Sequence, residues 1–301
     1  GVKITAIVDG DKGVLNVVPY VIGQGHVVVT LFDHNQNQVG ISFGNDDILI
    51  NNVHLWNGLE DPYLYEVKIS LLDENDNLLD EITKNVGFRY FKVDPNKGFF
   101  LNGKSYPLRG VCRHQDLKGV GNAVNKKHHE DDLALIKEIG ANTIRLAHYQ
   151  HDDYTLDLCD KLGFIIWAEV PYISKHLENG NDNIEQQLKE LIIQQYHHPS
   201  IVTWGISNEI TMFKKGRVKA YLEENKKLNE IAHKLDETRL TTMACFSMCG
   251  PFNKVSKITD VVSWNLYFGW YVPFKFLNKL WFGFYRLFNK SYQKNKQMFT
   301  N

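Results

Sequence analysis

The side chains best equipped for chemistry cluster at Trp204-Gly205-Ile206-Ser207-Asn208-Glu209, where an apolar run opening with Ile201-Val202-Thr203 ends on an amide and a carboxylate. A β-rich run that stops at Asn-Glu lifts a proton donor to the carboxyl-terminal rim of a (β/α)-barrel sheet, the end at which barrel active sites are built. Taken alone, such a pair reads more often as a strand cap, because short motifs match by chance. Its surroundings reverse that preference. Other strand ends deliver Arg113-His114-Gln115-Asp116, Arg145-Leu146-Ala147-His148 and Glu169 to the same rim, and a later one adds Asn265-Leu266-Tyr267 and Trp270. Carboxylate, imidazole, guanidinium, amide and aromatic groups arriving together make a site.

Neutral donors, acceptors and rings around carboxylates suit a polyhydroxylated ligand, whose hydroxyls need paired hydrogen bonds and whose carbon face packs on an aromatic ring. A sugar is the natural candidate. Glycoside hydrolysis requires one carboxylic acid to protonate the leaving oxygen and, if configuration is retained, a second carboxylate about 5 Å away. Glu209 fits the first role. For the second, no Glu follows Glu237 and no acidic residue follows Asp260. Glu169 is the one local substitute, since adjacent strands lie about 4.8 Å apart.

The elements that must hold these groups fall into two classes. From residue 1 to 92, short alternating runs such as Val27 to Phe32 and Leu64 to Leu71 are broken by polar turns, which predicts an immunoglobulin-like β-sandwich of roughly seven strands. Two of the turns, Asp33 to Asn37 and Asp73 to Asn77, carry Asp-x-Asn-x-Asn. Gln38 and Leu78 stand where a calcium loop has its sixth-position Gly, and Gly44 and Lys84 where it has its twelfth-position Glu, so these are read as plain turns. After Phe99-Phe100-Leu101-Asn102-Gly103-Lys104, a hairpin-like entry, the rhythm becomes strand then amphipathic helix.

Strands are expected at Tyr106–Cys112, Asn142–Ala147, Phe164–Glu169, Ile201–Ser207, Leu240–Ala244 and Val261–Asn265. Helices are expected at His129–Ile139, Tyr154–Leu162, Ile184–Tyr196 and Lys219–Leu235. The fold class is therefore multidomain, β followed by α/β: the sandwich over 1–92, then an incomplete (β/α)8 barrel of about six strands over 93–272. Residues 273–301 break the rhythm, crowding Phe274, Trp281, Phe284, Arg286 and Lys290 without an acidic residue. They are read as an atypical aromatic and basic tail, altered or truncated, rather than a seventh βα unit.

Composition narrows the partners. With 34 basic and 35 acidic residues the net charge is −1, which leaves no electrostatic footprint for nucleic acid. The apolar part of the tail falls short of the roughly 20 residues needed to span a bilayer, so no membrane partner is expected. Cys112, Cys159, Cys245 and Cys249 show neither a disulfide framework nor zinc spacing and are expected to be free, buried thiols. No positively charged segment followed by an apolar stretch opens the chain, so the expectation is cytoplasmic, although Gly1 begins in mid-pattern.

The residues also carry a resemblance. Gly87-Phe88-Arg89, Arg109-Gly110-Val111-Cys112-Arg113-His114, Asn142-Thr143-Ile144-Arg145 to His148-Tyr149, and His198-Pro199-Ser200 ahead of Trp204–Glu209 together resemble glycoside hydrolase family 2. The resemblance covers nearly the whole chain to about Tyr271. It implies a sandwich domain before a catalytic barrel, and retaining hydrolysis of terminal β-galactosides, β-glucuronides or β-mannosides. Residue by residue it implies Glu209 as acid/base, Asn208 as the amide on the sugar 2-hydroxyl, His114 and His148 as sugar contacts, and Tyr267 as the phenol near the nucleophile; Arg145, Glu169, Asn265 and Trp270 complete the expected substrate-binding set. Ala147-His148-Tyr149-Gln150 and Trp167-Ala168-Glu169-Val170-Pro171 look more like β-galactosidases than β-glucuronidases, so the expected partner is a β-galactoside or related sugar, with a degenerate sugar-binding relative or β-glucuronidase-type specificity as the alternatives and a homo-oligomer left open.

Departures from the family pattern accompany it. Cys112 replaces the usual Asn before Arg-His, and Ile173 and Lys175 stand where some members hold magnesium, so no metal and no cofactor is expected there. The family's nucleophilic Glu at the seventh strand has no counterpart, and this polypeptide alone should therefore turn over poorly or not at all.

Overall fold

The computed structural model describes residues 1–177, 179–210, 218–246 and 253–266, together with the backbone of 297–300. Its amino-terminal part is a two-sheet sandwich. Strands β1 (Val2–Asp9), β2 (Lys12–Pro19) and β5 (Ile48–Ile50) form one sheet; β3 (His26–Phe32), β4 (Gln38–Phe43), β6 (Tyr65–Leu72) and β7 (Leu78–Val86) form the other, in the order β4-β3-β6-β7. Period-two alternation decides which residues face inward. Val27, Val29 and Leu31 of β3 and Tyr65, Val67 and Ile69 of β6 are buried against Leu15, Val17 and Ile48 of the facing sheet. Both Asp-x-Asn-x-Asn turns are closed by their own aspartate: Asp33 Oδ1 accepts from the amides of Asn35 and Asn37 at 2.8 Å, and Asp73 does the same for Asn75 and Asn77 at 2.8 Å.

A short meander, β8 (Phe91–Asp94), β9 (Gly98–Leu101) and β10 (Lys104–Ser105), leads to the second part. Asn102 and Gly103 sit at φ 48° and 79°, the two left-handed residues that a tight hairpin turn needs. From there the strands run parallel in sequence order: β11 (Gly110–Arg113), β12 (Thr143–Leu146), β13 (Ile165–Glu169), β14 (Ile201–Asn208), β15 (Leu240–Phe246) and β16 (Val261–Asn265). Helices α1 (Lys126–Glu138), α2 (Asp153–Leu162), α3 (Asn181–Gln195) and α4 (Val218–Leu235) cover the outer face. The core between layers holds Leu133, Leu156, Phe164, Leu188, Ile192, Trp204, Leu228 and Trp264.

The result is a β-sandwich followed by an open part of a (β/α)8 barrel, as the alternation of patterns predicts. Differences lie at the edges. The first barrel strand begins at Gly110 rather than Tyr106, because Pro107 has no N–H to give a ladder and the preceding residues belong to the meander. A further strand, β17 (Gln297–Thr300), runs parallel to β16 as the seventh in the sheet, where the sequence rhythm predicts none; the remainder of 273–301 lies outside the described residues. Cys159 is a buried free thiol as expected and Cys245 is buried, but Cys112 is exposed, and Cys249 lies outside the described residues. Cys112 lies on the edge strand β11, which has a neighbouring strand on one side only among the described residues, and it lines a cavity with Arg145, Trp167 and Thr203. Among the described residues no helix is long and apolar enough to cross a membrane.

Sandwich and barrel are joined at the amino ends of the barrel strands. The Arg89 side chain donates to the carbonyls of Pro199 at 3.0 Å and Ile201 at 2.6 Å, and Trp56 Nε1 donates to the Asp160 carbonyl at 2.9 Å. Gly87 packs so closely that a Cβ there would lie 2.9 Å from both Pro199 and Trp56. These contacts explain two of the recurring motifs as joinery: Gly87-Phe88-Arg89 and His198-Pro199-Ser200 hold the barrel's bottom face, where strand-end residues serve stability.

Candidate active site

Four strands bring their carboxyl ends to one place. Arg145 leaves β12, Glu169 ends β13, Asn208 ends β14 with Glu209 next after it, and Asn265 ends β16, all buried. Register does the gathering. Arg145 is opposite Trp167, Glu169 opposite Gly205, Asn208 opposite Ala244 and Asn265 opposite Phe246. A register shift between Gly205 and Asn208 re-aims the end of β14, the device by which sheets turn a side chain at functional rims.

The backbone at the Asn-Glu pair is held from both sides. Asn208 N donates to Tyr172 O at 2.9 Å, Ser174 N donates to Asn208 O at 2.8 Å, and Glu209 N donates to Ala244 O at 2.8 Å. Glu209 takes φ 51°, a left-handed conformation that costs a non-glycine residue about 1–3 kcal/mol and persists only where its surroundings over-determine it. These three bonds supply that constraint.

Arg145 is the hub of the side-chain network. Its Nε donates to Glu169 Oε2 at 2.9 Å, and its Nη2 to Glu169 Oε1 at 3.0 Å and to Asn208 Oδ1 at 2.7 Å, while its Nη1 reaches Asn265 Oδ1 at 3.2 Å. The guanidinium lies 4.3 Å from the centroid of the Trp167 ring. Asn265 Nδ2 donates to Asn208 Oδ1 at 3.0 Å and to Glu209 Oε1 at 2.9 Å. With its Oδ1 doubly occupied, Asn208 has Nδ2 left to donate to a ligand hydroxyl. Glu169 accepts from Arg145 with both oxygens, and Oε1 also meets His148 Nδ1. A carboxylate so engaged and only 1% exposed positions its neighbours and is not presented for attack.

His148 is partly exposed with its ring 5.1 Å from that of His114, which is itself exposed. The two imidazoles thus edge the rim, and Tyr149 stands 6.0 Å from His114. Of the residues expected from sequence, Glu209, Asn208, Arg145, Glu169, Asn265, His148 and His114 lie at this one end, whereas Tyr267 and Trp270 lie outside the described residues. Two supporting residues stand in motifs quoted from the sequence but received no site role there. Trp167 carries the guanidinium, and Gly205 permits it: a Cβ on Gly205 would stand 2.3 Å from Trp167 Nε1 and 2.5 Å from Glu169 Cβ. A glycine inside a strand pattern was the available signal of close approach.

Comparison with known proteins follows this geometry. The model of the glycosyl hydrolases family 2 TIM barrel domain matches residues 91–300, and that of glycosyl hydrolases family 2 matches residues 8–89. A β-glucuronidase of Bacteroides fragilis is 45% identical over 233 residues, 74% of this chain and 32% of that protein. A β-galactosidase of Thermoanaerobacterium thermosulfurigenes is 33% identical over 199 residues, 64% of this chain and 26% of that protein. The crystal structure of an FMN-binding β-glucuronidase from Faecalibacterium prausnitzii L2-6 superposes with a TM-score of 0.88 at 37% identity, covering 96% of this chain and 46% of that one. Bacteroides uniformis β-glucuronidase 2, covalently bound to cyclophellitol-6-carboxylate aziridine, gives 0.87 at 32% identity, covering 100% of this chain and 39% of that one. The chain thus spans between about a quarter and a half of the length of these relatives, and with both parts matched in order it belongs to glycosyl hydrolases family 2.

Proposed function

We propose that this chain carries the sugar-gripping and acid/base part of a retaining β-glycosidase that acts on terminal β-glucuronides, with Glu209 as the proton donor to the departing oxygen and Asn208 as the amide on the sugar's hydroxyl. The observation that carries the reading is the Arg145–Glu169–Asn208–Asn265–Glu209 network at the carboxyl end of the sheet, which fixes one carboxyl beside an amide donor. Retention fits a covalent route, and the relative trapped by a cyclophellitol aziridine supports it. The sugar is chosen on the relatives: one β-glucuronidase matches at 45% identity, against 33% for the β-galactosidase, and the inhibitor trapped in another bears the 6-carboxylate of a glucuronide. The galactoside reading keeps one specific support, the Ala147–Gln150 and Trp167–Pro171 motifs.

Turnover needs a second carboxylate. Glu169 is engaged on both oxygens by Arg145, so the reading assigns sugar binding and the acid/base to these 301 residues and gives none of their described carboxylates the nucleophile's role. Ligand-detected NMR with glucuronate and galactose tests the reading, with glucuronate expected to bind more tightly and Asn208→Ala to weaken it. A chain that binds neither sugar refutes the site, and preference for galactose refutes the glucuronide choice. Covalent labelling of Glu169 or Glu209 by the aziridine would overturn the roles assigned to them.

A further inference from the structure

At the opposite end of β14 from the sugar site, Asp157 on α2 and the adjacent His197 and His198 ahead of the strand each offer one ligand atom, and these atoms lie within 4.8 Å of one another. Two features set this group apart from an ordinary polar cluster. His198 Nδ1 lies 2.6 Å from Asp160 Oδ2, and Asp160 Oδ1 accepts from Ser200 N at 3.1 Å, both residues buried. With the carboxylate accepting, Nδ1 carries the hydrogen and Nε2 is left with its lone pair, the carboxylate–histidine arrangement that orients metal-ligating imidazoles. Second, Nε2 of His197 is buried with no hydrogen-bond partner among the described residues. A buried ring nitrogen without a partner is destabilising, a cost that a bound ligand would remove.

We propose that Asp157, His197 and His198 bind a divalent transition metal of the zinc class, with Asp160 as the positioning carboxylate behind His198. Two imidazoles and one carboxylate are a zinc ligand set, and water would complete a tetrahedron. Bonds of 2.0–2.2 Å would draw the ligand atoms to about 3.4 Å apart, a closure that rotation of the half-buried Asp157 and His197 side chains can supply. Two cations act on His197, Lys84 and an Arg239 that is itself paired with Asp236 at 2.9 Å, and Asp157 and Asp160 supply the opposing charge beside the histidines. Such an ion would pin α2 to the segment that enters β14 and meets the sandwich through Arg89, making it a structural clasp independent of the sugar site.

The test uses the 301-residue chain, freed of metal with a chelator and titrated with ZnCl2 and CoCl2. One equivalent of Zn2+ is expected, with a raised melting temperature, and a tetrahedral Co2+ absorption spectrum. His197→Gln and Asp157→Asn should each abolish stoichiometric binding, and Asp160→Asn should weaken it about 10-fold or more, with far-UV circular dichroism unchanged. The absence of saturable binding to the unaltered chain overturns the proposal whatever the variants do. Binding that survives both ligand substitutions overturns it too, as an adventitious ion only.

Discussion

Glu169→Gln probes the premise that a buried ion pair, rather than the strand ends alone, sets the site's geometry. Glu169 and Arg145 are 1% and 5% exposed and share two charge-assisted bonds of 2.9 and 3.0 Å. Removing one member of such a pair leaves an uncompensated buried charge, which costs about 3–5 kcal/mol. Arg145 would retain Asn208, Asn265 and the Trp167 ring, so the lower end, about 3 kcal/mol, is expected. That is a large share of the roughly 5–15 kcal/mol that holds a protein folded. Urea unfolding followed by tryptophan fluorescence measures it, and Arg145→Met, alone and combined with Glu169→Gln, completes a double-mutant cycle. Since no charge is stranded when both are replaced, the double variant should be more stable than the sum of the singles by about 2 kcal/mol. A Glu169→Gln loss below about 1 kcal/mol, or strict additivity, would refute the reasoning.

Gly205→Ala should destabilise by about 2–3 kcal/mol through overpacking against Trp167 and Glu169, and should weaken glucuronate binding in parallel; an unchanged urea midpoint would show that the strands simply move apart. Burial pushes the His151 imidazole down to about 3, helped by the neighbouring Arg113, so the unfolded chain takes up a proton near pH 6.5 that the folded chain refuses. Stability should therefore fall as pH drops from about 6.5 towards 3, by up to about 1.4 kcal/mol per pH unit, and His151→Gln should flatten that slope in urea midpoints taken at pH 7 and 5. In any form of the protein that turns over, Glu209→Gln should abolish hydrolysis of glycosides with poor leaving groups while sparing activated aryl glycosides, because only the former need a proton on the departing oxygen. Equal loss of kcat/KM on both classes would remove Glu209 from the acid role.

Periodicity in the sequence determined the two architectures, because burial of alternate residues in the sandwich strands and of one face of each barrel helix leaves a record in residue type. It also determined that Glu209, Asn208, Arg145 and Glu169 stand at strand ends, since parallel strands joined by helices present all their carboxyl ends on one side. Their connections were not legible. Whether Glu169 attacks or supports depended on its pairing through both oxygens with Arg145, 24 positions away in sequence, and no spacing rule specifies such a partner. The need for Gly205, the exposure of Cys112 and the orphaned nitrogen of His197 likewise arise from approach between strands, sheet closure and packing at a helix end. These are properties of distances between residues far apart in the chain, which only the tertiary structure sets.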